Sequence, residues 1–319
     1  MLLFYILLFL VSCVLFFFSG DWVIEGLART AKLLGWREFV VAFFVIALAA
    51  SLPNLFVGIL SAFRGIPELS FGDVAGNNLI AMTLAVALAA LFAKGGIAAE
   101  SRAIQTTSLF TAAAAVLPLI LVLDGTLSRG DGILLIAFFI FYVYWLFSKK
   151  ERFTKIYDDY AIPLANKIKN LFKDVGKILF GIIILLIAAE GIVKAASFFA
   201  GNFKIPLTLI GILITGVGST LPEIYFAIIS AKKGETWMIL GDLMGAVIFP
   251  STLVLGTVAL IRPIVIPNIK FITIARLFLL FAAIFFFIFV RSDRKITKRE
   301  AVFLLAIYIT FLTVEILVK

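Results

Sequence analysis

Within a run apolar enough to cross a membrane stands the segment Gly216-Val-Gly-Ser-Thr220-Leu-Pro222-Glu223. A carboxylate at membrane depth costs about 2.5 kcal/mol or more, so Glu223 points to function rather than to packing. Pro222 has no N–H, and the carbonyl four residues back, on Gly218, lacks its helical donor. Ser219 and Thr220 set hydroxyls beside that carbonyl, and Gly216 and Gly218 permit a bend there. One carboxylate, two hydroxyls and a loose carbonyl within two turns predict an oxygen-lined site for a hard cation. Glu223, Thr220, Ser219 and Gly218 are its first candidate ligands. The competing reading is a proline kink with Glu223 salt-bridged inside a helical bundle.

The elements that must hold these residues are transmembrane helices. Of 319 residues 63% are hydrophobic and the mean hydropathy is +1.17, well above a soluble domain. Several long apolar runs exclude a single anchor carrying a soluble domain. The net charge of +9 invites a nucleic-acid partner, but the basic residues lie between spans, where they set orientation instead. Cys13 is the lone cysteine and cannot form an internal disulfide. Leu10-Val-Ser-Cys13 resembles a lipoprotein cleavage box, yet no basic residue precedes it, so it reads as a core thiol of the first span.

At about twenty residues per span, the chain divides into ten: 2–19, 39–62, 74–93, 104–123, 133–148, 178–200, 205–230, 243–261, 271–290 and 301–318. The longest polar stretch, Ser148 to Lys177, separates five from five and is strongly basic. The expected organisation is therefore a first five-helix repeat at 1–148, a basic linker at 149–177 and a second repeat at 178–319. Placing the linker in the cytoplasm puts most other Lys and Arg there too and leaves both termini outside. Sliding the chain along itself until Asp21 falls on Glu190 aligns the halves without gaps. Leu52-Pro53 then falls on Leu221-Pro222, Gly65 on Gly234, Gly72-Asp73 on Gly241-Asp242, and Gly76 on Gly245. Five spans is an odd number, so the copies must lie upside down relative to each other. The predicted fold class is an all-α integral membrane protein of ten helices in two inverted-topology repeats, with a midplane site between broken helices.

Ser51-Leu-Pro-Asn54 and Ser219-Thr-Leu-Pro-Glu223, each followed by a Gly-Asp-x-x-Gly segment, resemble the cation/calcium exchanger superfamily, and the sodium/calcium exchangers in particular. The resemblance covers essentially the whole chain. It implies ion sites built by the second and third spans of each repeat, with sodium and calcium as substrates and no cofactor. It also implies further ligands in Ser51, Asn54 and Asn77, beside Ser219, Thr220 and Glu223. The family usually has a Glu in both proline motifs, whereas the first motif here has Asn54. Ala81 and Pro250 stand where the family places Asn or Asp, and Ala47 and Ala49 stand opposite Gly216 and Gly218. Calcium takes six to eight oxygens, so a site with one Glu also suits a sodium-coupled or proton-coupled monovalent exchanger, or a degenerate cation-binding homologue that does not transport. With no histidine in the chain, proton coupling would have to use a buried carboxylate.

Asp73 and Asp242 each follow a glycine at the expected start of an apolar run, which predicts helix N-caps, with a mouth acid that concentrates cations as the alternative. Eight residues of helix, about 12 Å, would keep them away from the midplane cluster. An intramembrane aspartyl protease needs two carboxyls sharing a proton, which acids near opposite faces cannot do; an enzyme is not expected. A channel fits less well than alternating access around a broken-helix site. Asp21 is expected at the interface, and Glu190 with Lys194, one turn apart, as an ion pair. The expected partners are small inorganic cations and the lipid bilayer, with no nucleic acid and a monomeric state. With glycines only in the second motif, the stronger bend is expected around Gly216–Pro222 rather than around Ala47–Pro53.

Overall fold

A computed structural model describes residues 1–33, 47–148, 164–234, 236–266 and 270–317. The described chain is nearly all helical. Helix α1 is Leu2–Leu33, and a turn at Ala47–Ala50 precedes α2, Leu52–Phe63. Helix α3 is Glu68–Phe92, α4 is Arg102–Leu121, α5 is Arg129–Ser148 and α6 is Leu164–Phe203. Helix α7 is Leu207–Lys233, and α8 runs as Thr236–Phe249, a π-helical turn at Pro250–Val254 and Leu255–Ile261. The last two are α9, Lys270–Arg291, and α10, Lys298–Leu317. Among the described residues 8 helices are long and apolar enough to span a bilayer, which makes the protein multi-pass. Of the other two expected spans, 39–62 falls partly outside the described residues, and 301–318 corresponds to the 20-residue α10.

Burial sorts the helices into an inner and an outer set. In α3 and α8, 83% and 78% of the most apolar stretch is buried, against 22% in α1 and α5. Long apolar helices with little burial face lipid, so α3 and α8 form the centre. Helices α1 and α6 pack along each other around Cys13, Phe16, Ala188 and Ile192, a cluster separate from the main core.

The repeat register seen in the sequence recurs in the elements. The shift that carries Asp21 onto Glu190 also carries both ends of α5, Arg129 and Ser148, onto both ends of α10, Lys298 and Leu317. It carries the π turn Ala81–Ala85 onto the π turn Pro250–Val254 as well. The same reciprocal closure starts α5 and α10: Ser128 with Asp131, and Thr297 with Glu300. In each, the hydroxyl and N–H of the first residue bond the carboxylate, and the acid's N–H bonds back, a capping box. Gly65 and Gly234 are both left-handed at φ +80 and +81. Two-residue strands tie the halves: β1 (Ile97–Ala98) pairs antiparallel with β4 (Lys295–Ile296), and β2 (Thr126–Leu127) with β3 (Ile264–Val265).

Helix α6 begins at Leu164, so residues 164–177 of the expected linker are helical; residues 149–163 lie outside the described set, as does the side chain of Asp21. One sequence expectation changes: the stronger interruption is not at Gly216–Pro222. Helix α7 is continuous through Pro222, with a π turn before it at Gly211–Thr215. In the first half the helix breaks at Ser51, whose N–H bonds Leu48 O at 3.2 Å in a tightened turn. Pro53 then sits in the first turn of α2, where its missing N–H leaves no bond unmade. The Glu190–Lys194 pair forms, at 3.2 Å, and Arg64 joins it from α2.

The strand register is testable. In a Cys13→Ser background, Ala98→Cys with Lys295→Cys places two thiols on directly paired residues. Mild oxidation should give an intramolecular disulfide, detected by mass spectrometry; exclusively intermolecular crosslinks would contradict the register.

Candidate cation site

The site rests on an unusually close approach of α3 to α7. A Cβ added at Gly211 would stand 2.6 Å from Gly72 Cα, and one at Gly216 would stand 2.9 Å from Gly76 Cα. No side chain fits between backbones at that distance, so glycine is required on both helices. The glycines serve this contact rather than the bend expected from them. Gly218 faces elsewhere, since its Cβ would meet Cys13 Sγ at 2.8 Å, on α1.

With the backbones this close, short polar side chains meet across the interface. Ser219 Oγ donates to Asp73 Oδ1 at 3.1 Å, and Thr220 Oγ1 donates to Asn77 Oδ1 at 2.9 Å. Asn77 Nδ2 in turn donates to Ala246 O of α8 at 2.7 Å. Asn77 and Ala246 stand in the repeat register, so this bond joins equivalent positions of the two halves. Both hydroxyls of α7 also reach the Gly216 carbonyl, Ser219 at 3.3 Å and Thr220 more closely. That corrects the expectation that they accompany Gly218: a Ser or Thr hydroxyl in a helix reaches back three or four residues, not one or two.

Asp73 and Asp242 are not N-caps. Helix α3 starts at Glu68 and α8 at Thr236, so each Asp lies inside its helix and is buried. The apolar runs extend N-terminally beyond the Gly-Asp pairs, carrying Leu69 and Phe71 on one and Met238, Ile239 and Leu240 on the other. Asp73 therefore does not stand at a distance from the cluster but bonds to Ser219 within it. Glu223 is 2% exposed and so is buried like both aspartates. No trio of acidic, Cys or His side chains among the described residues forms a metal cluster.

Several buried oxygens in this region lack a hydrogen-bond partner: Asn54 Oδ1, Asp73 Oδ2, Asn78 Oδ1 and Glu223 Oε2. Asn54 Nδ2 is also unpartnered, and Asn54 is 1% exposed. A buried polar group without a partner costs about 1–3 kcal/mol, more when charged. Ser51 is buried at the start of α2. Sequence reasoning did not include Asn78, whose Nδ2 donates to Ser251 Oγ of α8 at 2.6 Å, or Thr215, buried one turn before Ser219. A second Asn directly after Asn77 was the available signal for the former.

A profile of the family described as sodium/calcium exchanger protein matches residues 4–148 and 174–317. The chain belongs to that family. Among family relatives, CaxA of Alkalimonas amylolytica is 27% identical over 81% of this chain and 81% of its own. The sodium/calcium exchanger MaX1 of Methanosarcina acetivorans is 24% identical, with 97% of each chain covered. Among solved structures, the sodium-calcium exchanger NCX_Mj superposes with a TM-score of 0.68 at 23% identity, over 98% of this chain and 99% of that one. At such identity the likeness is one of fold.

The close approach yields a prediction. Gly211→Ala should destabilise the protein by about 1–3 kcal/mol, as overpacking does, and lower its melting temperature in detergent. Gly201→Ala, with nothing within 4 Å of the added methyl, should leave it near wild type.

Proposed function

We propose that this protein is a secondary-active cation antiporter exchanging sodium for calcium by alternating access at the junction of α2, α3, α7 and α8. The single observation that carries the reading is the set of buried, unpartnered oxygens on Asn54, Asp73 and Glu223, of which Asp73 also accepts from Ser219 across the α3–α7 contact. An unpaired carboxylate at membrane depth calls for a positive partner. The nearest lysines on α7, Lys232 and Lys233, are more than two turns away along the helix. A mobile cation supplies the missing charge, and it can do so and leave.

In this reading Glu223 and Asp73 provide charge, Asn54, Asn77, Ser51, Ser219 and Thr220 provide neutral oxygens, and Asp242 adds field from α8. Gly218 contributes at most a carbonyl. Compared with one Glu alone, a second carboxylate in the cluster makes calcium a better fit. Exchange follows because the empty cluster leaves repelling acids unpaired, so the helices change sides readily only when loaded. The monovalent alternative is favoured by two observations: Asn54 occupies the position equivalent to Glu223 without a charge, and no three-acid cluster forms among the described residues. Membership of an exchanger family supports transport over the degenerate reading and over an enzyme.

The same proposal includes the architecture: ten spans in two repeats inverted about an axis in the membrane plane, both termini outside, the basic linker cytoplasmic and the protein monomeric. The recurrence of caps, π turns and left-handed glycines in a single register supports it. So does the Asn77–Ala246 bond, because equivalent residues meet only beside the axis that relates them.

Gradient-driven flux in proteoliposomes tests the function, with calcium, sodium, potassium and pH gradients applied separately. Glu223→Gln keeps shape and removes charge, and should abolish cation-coupled flux in a protein that still folds. Asp73→Asn should weaken transport about tenfold or more, as loss of a metal-site group does. Normal flux in Glu223→Gln would place the site elsewhere. Uptake driven by sodium without calcium exchange would select the monovalent alternative.

A further inference from the structure

At one end of the helices lies an open cavity of about 460 Å³, bordered by Lys94, Lys232, Lys233 and Lys295, with Glu100 the acid in its lining among the described residues. The lysines are brought together from three distant parts of the chain: the end of α3, the end of α7 and strand β4. Lys232 is fixed at the wall by Phe92, its Nζ standing 4.9 Å from the ring centroid. Positive charge at the end of α7 is favoured by the helix dipole, which accounts for Lys232 and Lys233. It does not account for Lys94 and Lys295, which add repulsion to the same space.

The equivalent place in the other half is built differently. In the repeat register, Lys233 and Gly234 correspond to Arg64 and Gly65. There Arg64 is paired with Glu190, and a Cβ at Gly65 would meet the guanidinium of Arg262 at 2.9 Å. Arg64 and Arg262 are thus engaged within the protein or packed against it. Gly234, by contrast, has nothing within 4 Å of its Cβ position. The lysine-lined space is therefore a feature of one end, not an obligatory product of the shared fold.

We infer that this cavity binds a phosphate-bearing anion, either the headgroup of an anionic lipid or a soluble polyphosphate. Four ammonium groups around a space of this size match a compact ligand with more than one negative charge, and basic pockets between transmembrane helices commonly take such headgroups. The bound anion bridges the end of α7, which carries Glu223, to α3 and β4, and so restrains the helix that lines the ion site.

The test uses full-length protein in phosphatidylcholine nanodiscs, following its melting temperature as phosphatidylglycerol replaces phosphatidylcholine or as pyrophosphate is added. The wild type should melt higher with at least one of the two, and the arm that responds identifies a lipid or a soluble anion. Lys94→Gln/Lys295→Gln should need about tenfold more of that anion, or greater, for the same shift. Lys298→Gln/Arg299→Gln removes two exposed charges from the start of α10, outside the cavity lining, and should respond as wild type. No shift with either anion, or equal responses from the two double variants, overturns the proposal. Should Lys94→Gln/Lys295→Gln not fold, Lys233→Gln against the same control gives the same decision.

Discussion

The structure depends on the contact of Gly72 and Gly76 with Gly211 and Gly216. Without a Cβ at these positions the backbones of α3 and α7 approach as nearly as helices can, and van der Waals contact substitutes for the hydrophobic drive that a lipid solvent does not provide. The consequence is chemical as well as mechanical. Serine and threonine have short reach, and only at this separation can Ser219 and Thr220 bond Asp73 and Asn77. A wider interface would take from Asp73 Oδ1 and Asn77 Oδ1 the hydroxyl donors they have here, in a medium without water.

The cluster is satisfied only in part, and the imbalance has a direction. Ser219 and Asn77 have partners on neighbouring helices, whereas Asn54, Asp73 and Glu223 keep buried oxygens with none. The paired groups hold the frame; the unpaired ones create the demand for a positive charge. A binding group locked in internal hydrogen bonds would resist giving them up, and one left entirely unsupported would collapse. In the proposed exchanger, that mixture suits a site that fills and empties.

The two halves share their scaffold but not their chemistry. Capping boxes, π turns and left-handed glycines repeat in one constant register, yet Asn54 stands opposite Glu223 and Arg64 opposite Lys233. Arg294 adopts a left-handed φ of 52 at the position equivalent to Gly125, a conformation that carries a cost for a side chain with a Cβ. Backbone features are thus kept even where the residue disfavours them, while charged side chains have diverged. The difference gives one half an Arg64–Glu190 ion pair where the other has a lysine at the border of an open cavity.

Composition and apolar run length alone determined a multi-pass helical protein, because the bilayer sets both the length and the polarity of any segment that spans it. The repeat register was legible too, since glycine and proline constrain the backbone wherever they stand. Glu223 was identifiable from its cost at membrane depth. Only the tertiary structure decided the company it keeps. Asp73 read locally as a cap because a Gly-Asp pair before an apolar run looks like a helix start, and nothing local shows that α3 already begins at Glu68. Ser219 and Thr220 read as companions of the Gly218 carbonyl, but they reach the Gly216 carbonyl instead and also bond Asp73 and Asn77, far away in sequence and in the other half. Distances along a helix follow from its rise per residue; distances between helices follow from what packs between them, and here that is the absence of four side chains.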